Sequence, residues 1–452
     1  MKEYLKSHLK GKKVLVLGFG KEGKSTIKML SSLMSDIDIT ISDQNETAFD
    51  NTNLMTDPSI SIKYGDNYLS DLTEYDVVIK SPGIKLDPHT TQFNKTTITS
   101  QTDIFLAVYG KQTIGVTGTK GKSTTSSLIY HILHTYNANT VFGGNIGIPL
   151  FDLVDDINPQ TTIVCELSSH QLQFIRSAPH IAILLNLYQE HLDHYSSYLE
   201  YQQAKYNIAL NQEAEDFFIF NASDHNILAL INSSTPPGIL IPFNENSSTQ
   251  HGICISEKEI LFNNKPLIKA DFHSNLTGTH NRNNAIIAAA AASLAGVPEQ
   301  VIEVALSSFI PLEHRLEYVG TYGQVKFYND SISTIPEAAI AAVESLKPVS
   351  TLIVGGFDRG IDYRPLAEYL ENGNVRNIVA TGPAGLRIFE IAAEIAALDE
   401  LYYINQFDEA VRKAIEITPP GGSVLLSPAA SSYNEFINFE QRGKRFKELV
   451  KV

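Results

Sequence analysis

Two glycine-rich loops carry the residue types that bind phosphate. Residues 113–125, TIGVTGTKGKSTT, run from an apolar, β-favouring stretch through Gly118, Thr119, Lys120 and Gly121 into Lys122, Ser123 and Thr124, and a helix-like segment follows. A strand that ends in glycines and opens a helix presents backbone N–H groups to an anion. The lysine adds a point charge, and the hydroxyl of Ser123 suits Mg²⁺. The spacing departs from a strict G-x-x-x-x-G-K-[ST], which would need glycine where the chain has Val116. That strict spacing occurs instead at Gly18-Phe-Gly20-Lys-Glu-Gly23-Lys24-Ser25, a stretch that also satisfies G-x-G-x-x-G. Asp43 closes the next strand-like run 20 residues after Gly23, where an acid meets ribose hydroxyls in nucleotide-binding βαβ units. The first loop is therefore read as a Rossmann-type diphosphate or nucleotide site and the second as the ATP site. A βα turn without a ligand is the plainer alternative for the first.

Further along, the strand-like TTIVCE ends in Glu166, the position at which phosphate-loop proteins place a Mg²⁺-directed carboxylate; the plain alternative is a helix N-cap acid. In the motif Glu190-His191-Leu-Asp193-His194-Tyr195, His191, Asp193 and His194 offer two histidines and one acid, a poor zinc site without further ligands, and His194 reads as structural. Lys205, in SSYLEYQQAKYNIAL, taken alone reads as a solvated surface lysine.

The elements that must position these residues follow from pattern. At 452 residues the chain is long enough for two to four domains, and 43% hydrophobic with 19% charged residues is ordinary globular composition. Acidic residues outnumber basic ones, 50 to 35, for a net charge of −15, which makes nucleic acid a poor partner. Two cysteines, Cys165 and Cys254, without metal-type spacing imply neither a disulfide framework nor a zinc site. The Ala-rich run from Ala285 is too short to span a bilayer and suits a buried helix, so a cytoplasmic protein without membrane insertion is expected. Residues 1–110 alternate strands (KVLVLG, DITIS, DVVIKSPG) with helix-like segments, as a parallel sheet requires, and Ser100 to Tyr109 reads as a short helix. Residues 111–311 hold the phosphate loop, with short strands between Asp216 and Ala270 read as an antiparallel excursion. Residues 312–452 restart the βα rhythm with VKFYND, STLIVGG, NIVATG, LYYIN and SVLLSP. The expected fold is α/β in three domains: Rossmann-like, central P-loop ATPase-type, and Rossmann-like again.

The order GTKGKST, GGNIG, ELSSHQL, EHLDHY, an AK pair, GTHNRNNA, HR, ND and SPAASSYNEFINFEQRG resembles the Mur ligases over the whole chain. The tail favours their glutamate-adding branch. The resemblance implies three α/β domains and ATP-dependent amide formation in peptidoglycan precursor synthesis. The carboxylate of UDP-N-acetylmuramoyl-L-alanine would become an acyl phosphate, which the amine of glutamate then attacks. It further implies that Lys122 and Ser123 hold the ATP phosphates and Mg²⁺, that Glu166 binds the first Mg²⁺, and that His191 and Lys205, the latter as a carbamate, serve a second. Asn145 would contact the muramoyl part; Gly18, Gly20, Gly23, Asp43 and Ser81 would form the UDP pocket. Asn281, Asn284, Arg315 and Asp330 would surround ATP, and Thr334, Arg359, Ser432, Tyr433 and Phe439 the incoming glutamate. One departure stands out: the family usually reads N-D-S-K-A-T-N where this chain has Asn329-Asp330-Ser331-Ile332-Ser333-Thr334-Ile335. Losing that lysine removes a charge-assisted contact to a carboxylate, and Arg359 is the cation left to replace it. D-glutamate is favoured as substrate, with L-glutamate the alternative. A monomer is expected.

Three other readings compete. A folylpolyglutamate synthase-like ligase does not explain the first loop or the FEQRG tail. A nicotinamide-dependent oxidoreductase built on GFGKEG and Asp43 leaves Lys122, Glu166 and the Asn281 cluster unexplained. A nucleotide-binding module without catalysis would be compatible with Ile332.

Overall fold

The computed structural model describes residues 1–31, 33, 37–50, 60–86, 95–191, 194–244, 252–276, 278–395 and 400–451. The first segment builds a wholly parallel sheet from β1 (Lys13–Leu17), β2 (Asp38–Asp43), β3 (Ile60–Tyr64), β4 (Val77–Lys80) and β5 (Thr97–Thr99), in the order β3-β2-β1-β4-β5. Val14, Leu15, Val16 and Leu17 are all buried, so both faces are covered, as parallel sheets demand. Strand order reverses between β1 and β4, and the loops that leave these two strands meet there: Ser81 Oγ donates to Gly18 O at 2.8 Å. Open α/β sheets bind ligands at such a switch point. The expected helix after β5 spans Gln101–Tyr109, with the Ser100 side chain accepting from Asp103 N.

The second sheet contains β6 (Thr113–Thr117), β7 (Thr140–Gly144), β8 (Thr162–Glu166), β9 (Ile181–Leu184), β10 (Phe217–Asn221), β11 (Ile239–Asn244), β12 (Ile253–Ile255), β13 (Glu259–Phe262) and β14 (Lys265–Lys269). Their order is β14-β13-β12-β11-β10-β9-β6-β8-β7. The stretch from Asp216 to Ala270 is not the antiparallel excursion expected. β10 pairs in parallel with both β9 and β11, and β11 with β12, so the central sheet simply continues; among the described residues only β12–β13 and β13–β14 are antiparallel. The helix His225–Ser233, capped by Asp224, provides the crossover that parallel pairing needs. The Ala-rich helix Thr279–Leu294 buries Ala285 through Ala292 completely or nearly so. Among the described residues no helix is long and apolar enough to cross a membrane.

The third sheet takes β15 (Glu317–Tyr322), β16 (Val325–Asn329), β17 (Val349–Gly355), β18 (Val375–Thr381), β19 (Leu401–Tyr403) and β20 (Ser423–Leu426), in the order β15-β16-β20-β17-β18-β19. It is parallel throughout except at β15–β16. The chain forms two compact units, Met1–His273 with Asn283–Phe309, and Ser274–Arg282 with Ile310–Val452. The first two sheets lie in the first unit and the third sheet in the second.

Candidate active site

In the first unit the loop after β6 has the geometry of an anion cradle. The helix Lys122–Tyr136 starts at its lysine, with Gly121 as N-cap at φ +85°. That left-handed conformation suits glycine. A Cβ at Gly121 would also come within 2.8 Å of Asn284 Oδ1, which places Asn284 against the loop. Asn186 pins the loop from the end of β9, accepting from Lys120 N at 2.8 Å and donating to Lys120 O at 3.1 Å. Thr119 Oγ1 accepts from Tyr188 N at 2.9 Å and bonds the Tyr201 hydroxyl at 2.9 Å. Lys122 Nζ donates to the carbonyls of Gly118 and Thr119 at 2.9 and 3.0 Å, and Lys120 pairs with Glu190 at 2.5 Å. Ser123 and Thr124 are buried in the first helical turn.

The rival strict motif at residues 18–25 does not have this geometry. Its helix, Lys21–Ser31, begins before the lysine and serine, and Lys24 N already donates to Gly20 O at 2.9 Å within it. Lys24 lies over the Phe19 ring, 5.5 Å from its centroid. Close packing explains Gly23, where a Cβ would fall 2.0 Å from Gly18 O, but not Gly20, where one would meet nothing. Asp43 accepts from Phe19 N at 2.6 Å and Asn45 N at 2.8 Å, so its carboxylate ties the loop to the end of β2.

Glu166 ends β8, paired with Val116 of β6 on one side and Gly144 of β7 on the other. It is 1% exposed. Asn145 donates its side-chain amide to Glu166 Oε1 at 2.7 Å, while Glu166 Oε2 is buried without a hydrogen-bond partner among the described residues. The helix N-cap role is taken by Ser168, not by Glu166. A buried carboxylate oxygen left open beside an anion cradle fits a hard cation such as Mg²⁺, which takes oxygen ligands and keeps sites on phosphate. Thr117 Oγ1, one strand away, is likewise buried and without a partner among the described residues. No group of three or more His, Cys, Asp or Glu side chains among the described residues forms a metal cluster by itself.

His191 sits at φ +58°, with its ring 5.9 Å from Tyr201 and 4.8 Å from His170. His194 packs on His170 at 4.3 Å and Tyr195 at 4.9 Å, an aromatic cluster in keeping with a structural role. Asp193 lies outside the described residues. Lys205 corrects the surface reading: it is 2% exposed, on the helix Tyr198–Leu210, with its ammonium 4.9 Å from the Tyr201 ring centroid. Burial, followed by the charge of Lys122, holds its pKa well below the ordinary lysine value. A lysine inside a helix with little amphipathic contrast carries no local signal of burial; only the packing of that helix on β6 and β9 reveals it.

In the second unit, Asp330 is buried after β16 and accepts from Leu316 N at 3.2 Å, Ser333 Oγ at 2.5 Å and Ser427 Oγ at 2.8 Å. Burial pushes its pKa up to about 6 against these hydrogen bonds and the charge of Arg315. Asn281 is buried. Arg359 donates to Thr334 O at 3.1 Å, which joins two of the expected glutamate-site residues. Ser432 is buried and Tyr433 is 66% exposed, while Phe439 opens the helix Phe439–Leu449 and accepts through its carbonyl from Ser331 Oγ at 2.8 Å. Arg442, unassigned from sequence, holds these segments together. It is 2% exposed and donates to Ser331 Oγ and O, Gly355 O, Ala430 O and Ser431 O at 2.9–3.4 Å.

A phosphate cradle, an open buried carboxylate and a buried amine in one unit suit phosphoryl transfer from a nucleoside triphosphate. Comparison with known proteins gives this class its family. The models described as Mur ligase MurD-like N-terminal domain, Mur ligase middle domain and Mur ligase glutamate ligase domain match residues 12–99, 116–292 and 314–430. The chain belongs to the Mur ligase family. The UDP-N-acetylmuramoylalanine–D-glutamate ligase of Caldanaerobacter subterraneus subsp. tengcongensis is 32% identical over 98% of each chain. The ligase of the same name from Acidobacterium capsulatum is 34% identical over 98% of this chain and 96% of its own. The solved structure of MurF ligase from Thermotoga maritima in complex with ADP shares the fold, at a TM-score of 0.60 and 14% identity, covering 100% of this chain and 99% of that one.

Proposed function

We propose that the chain joins D-glutamate to UDP-N-acetylmuramoyl-L-alanine at the expense of ATP, through an acyl phosphate, in the synthesis of peptidoglycan precursors. The observation that carries this reading is the end-to-end likeness, at 32% and 34% identity, to ligases of that name. The site chemistry is in keeping with it. A carboxylate must be activated before an amine can displace one of its oxygens, and attack by one anion on another needs charge neutralised at the transferring phosphoryl group.

Lys122, with the backbone N–H groups of residues 121–123 at the helix N-terminus, binds and orients the phosphates. Ser123 and Glu166 would hold Mg²⁺, which when bound supplies positive charge to the phosphate oxygens. Asn145 fixes the orientation of Glu166 and presents the muramoyl end of the acceptor. Burial disfavours the charged form of Lys205; its neutral amine has the lone pair needed to add CO₂, forming an N–C bond and releasing one proton, and the resulting carbamate and His191 would serve a second Mg²⁺. In the first sheet, Gly18, Gly23 and Ser81 shape the pocket for the UDP part. Asn281, Asn284, Arg315 and Asp330 serve ATP; Thr334, Arg359, Ser432, Tyr433 and Phe439 serve glutamate.

Phosphate release by purified protein with ATP, Mg²⁺, UDP-N-acetylmuramoyl-L-alanine and either D- or L-glutamate tests the reading. Turnover with D-glutamate is expected. Turnover with L-glutamate alone would reverse the stereochemical assignment and direct attention to Ile332 and Ile335; turnover with neither would overturn the ligase reading.

A further inference from the structure

Between Gly20 and Gly23 stand two adjacent charged residues for which the reaction above has no task. Lys21 extends its ammonium to the carbonyl of Gly147. Glu22 turns to another segment, where its Oε1 accepts from Gln171 Nε2 at 2.6 Å, and its Oε2 is buried without a hydrogen-bond partner among the described residues.

Both contacts end on segments that flank Glu166. Gly147 belongs to the loop after β7, in which Asn145 donates its backbone N–H to Glu166 O at 2.8 Å and its side-chain amide to Glu166 Oε1 at 2.7 Å. The same loop is so close that a Cβ on Gly144 would lie 2.3 Å from Glu166 O. On the other side, Gln171 Oε1 accepts from Ser168 N at 2.9 Å and Ser168 Oγ at 3.1 Å, closing the cap of the short helix Ser169–Leu172 just beyond Glu166. Neighbouring side chains in the first turn of the helix that leaves the glycine-rich loop therefore grip the chain before and after the candidate cation-binding carboxylate.

Stability alone is a poor reason for this arrangement. Burial raises the Glu22 pKa, against the Gln171 hydrogen bond and the charge of Lys80, itself buried and pushed down to about 8. A carboxylate desolvated for one amide contact is costlier to the fold than an apolar side chain of similar size.

We propose that Lys21 and Glu22 couple occupancy of the glycine-rich loop by the UDP-linked substrate to the order of the segments that carry Glu166, so that the divalent-cation site tightens when that substrate is bound. This rests on the reading of the loop as the UDP-substrate site and of Glu166 as a Mg²⁺ ligand. Neither residue touches the reacting atoms; both act as positioning residues through Gly147 and Gln171. Linkage makes the effect reciprocal, and a contiguous hydrogen-bonded path of this kind suits a coupling of roughly tenfold.

Mn²⁺ binding followed by electron paramagnetic resonance on the full chain, with and without UDP-N-acetylmuramoyl-L-alanine, tests the proposal without turnover. In the wild type the substrate should tighten Mn²⁺ binding roughly tenfold. Glu22→Ala and Lys21→Met should lose most of that tightening, and Glu22→Gln should keep it, because its side-chain carbonyl still accepts from Gln171. Lys21 is exposed, so Lys21→Met remains informative if Glu22→Ala does not fold. Wild-type tightening in Glu22→Ala and Lys21→Met, or none in a wild type that binds both ligands, would overturn the coupling. A wild type that binds neither ligand would overturn the functional reading and the coupling with it.

Discussion

Asn145 and Glu166 are joined twice, once through the backbone and once through their side chains, and the second bond occupies only one of the two carboxylate oxygens. The other, Oε2, is buried and faces no hydrogen-bond donor among the described residues. A fold that needed only the Asn145 contact would be served as well by glutamine. Glu166→Gln should therefore leave the melting temperature unchanged or slightly higher, since a neutral amide is cheaper to bury than a carboxylate. The same change should raise the Mg²⁺ concentration for half-maximal phosphate release roughly tenfold or more. A Mg²⁺ titration that superimposes on the wild type would remove Glu166 from the cation site.

Lys205 is buried and disfavours its charged form, which is the condition for carbamate formation. Lys205→Ala should lose on the order of 10²-fold or more in turnover, as when one group of an electrostatic site is removed. Acetate or formate should restore part of it by supplying the missing oxygen ligand. Full activity in the variant, or no response to any short carboxylate, would count against the carbamate.

Asp330 has a definite pH signature. Its folded pKa of about 6 lies above the unfolded value near 3.9, so the native state holds the proton more tightly. The stability it contributes is present below about pH 4 and is lost as pH rises through about 6. Asp330→Asn should remove this dependence, worth on the order of 3 kcal/mol over that window for a shift of this size. Denaturation of the second unit between pH 4 and pH 7 in both proteins measures it; parallel curves would refute the assignment.

Arg442 satisfies five acceptor contacts from three separated stretches of chain, at Ser331, Gly355 and Ala430–Ser431. Lysine carries the charge without the planar fork, so Arg442→Lys should leave carbonyls unsatisfied and cost about 3 kcal/mol in the second unit. Because Ser331 and Ser431 adjoin the candidate glutamate residues, the KM for glutamate should rise while that for ATP stays near wild type. An unchanged melting temperature together with an unchanged glutamate KM would show that Arg442 is dispensable.

What the sequence made legible was local. The loop at 118–124 is recognisable because strand, glycines, lysine and helix follow one another within a few residues, and the fold places them as read. Parallel sheets in the first and third segments were legible for the same reason, from runs of buried β-branched residues between helices. Features that depend on distant partners were not. Glu22 and Gln171 are 149 residues apart, and neither predicts the other. Lys205 reads as a surface residue because its burial comes from the packing of its helix on β6 and β9, not from any pattern within that helix. The crossover helix His225–Ser233 lies in a stretch where short apolar runs alternate with Asn-, Ser-, Pro- and Gly-rich turns, a pattern that reads as an antiparallel excursion and hides the parallel pairing.

The place of β20 in the third sheet bears on how the protein is made. This strand follows all the others of its sheet in sequence, yet lies in the middle, between β16 and β17. A nascent chain that has emerged only as far as β19 therefore presents two facing strand edges with nothing between them, and Arg442, which ties the surrounding loops, is still to come. Synthesis proceeds from the N-terminus, so the first unit has its sheets complete while the second waits. Unpaired edges of this kind invite association with other chains. Premature termination after β17 and before residue 423 should therefore yield an insoluble product, not a smaller folded one.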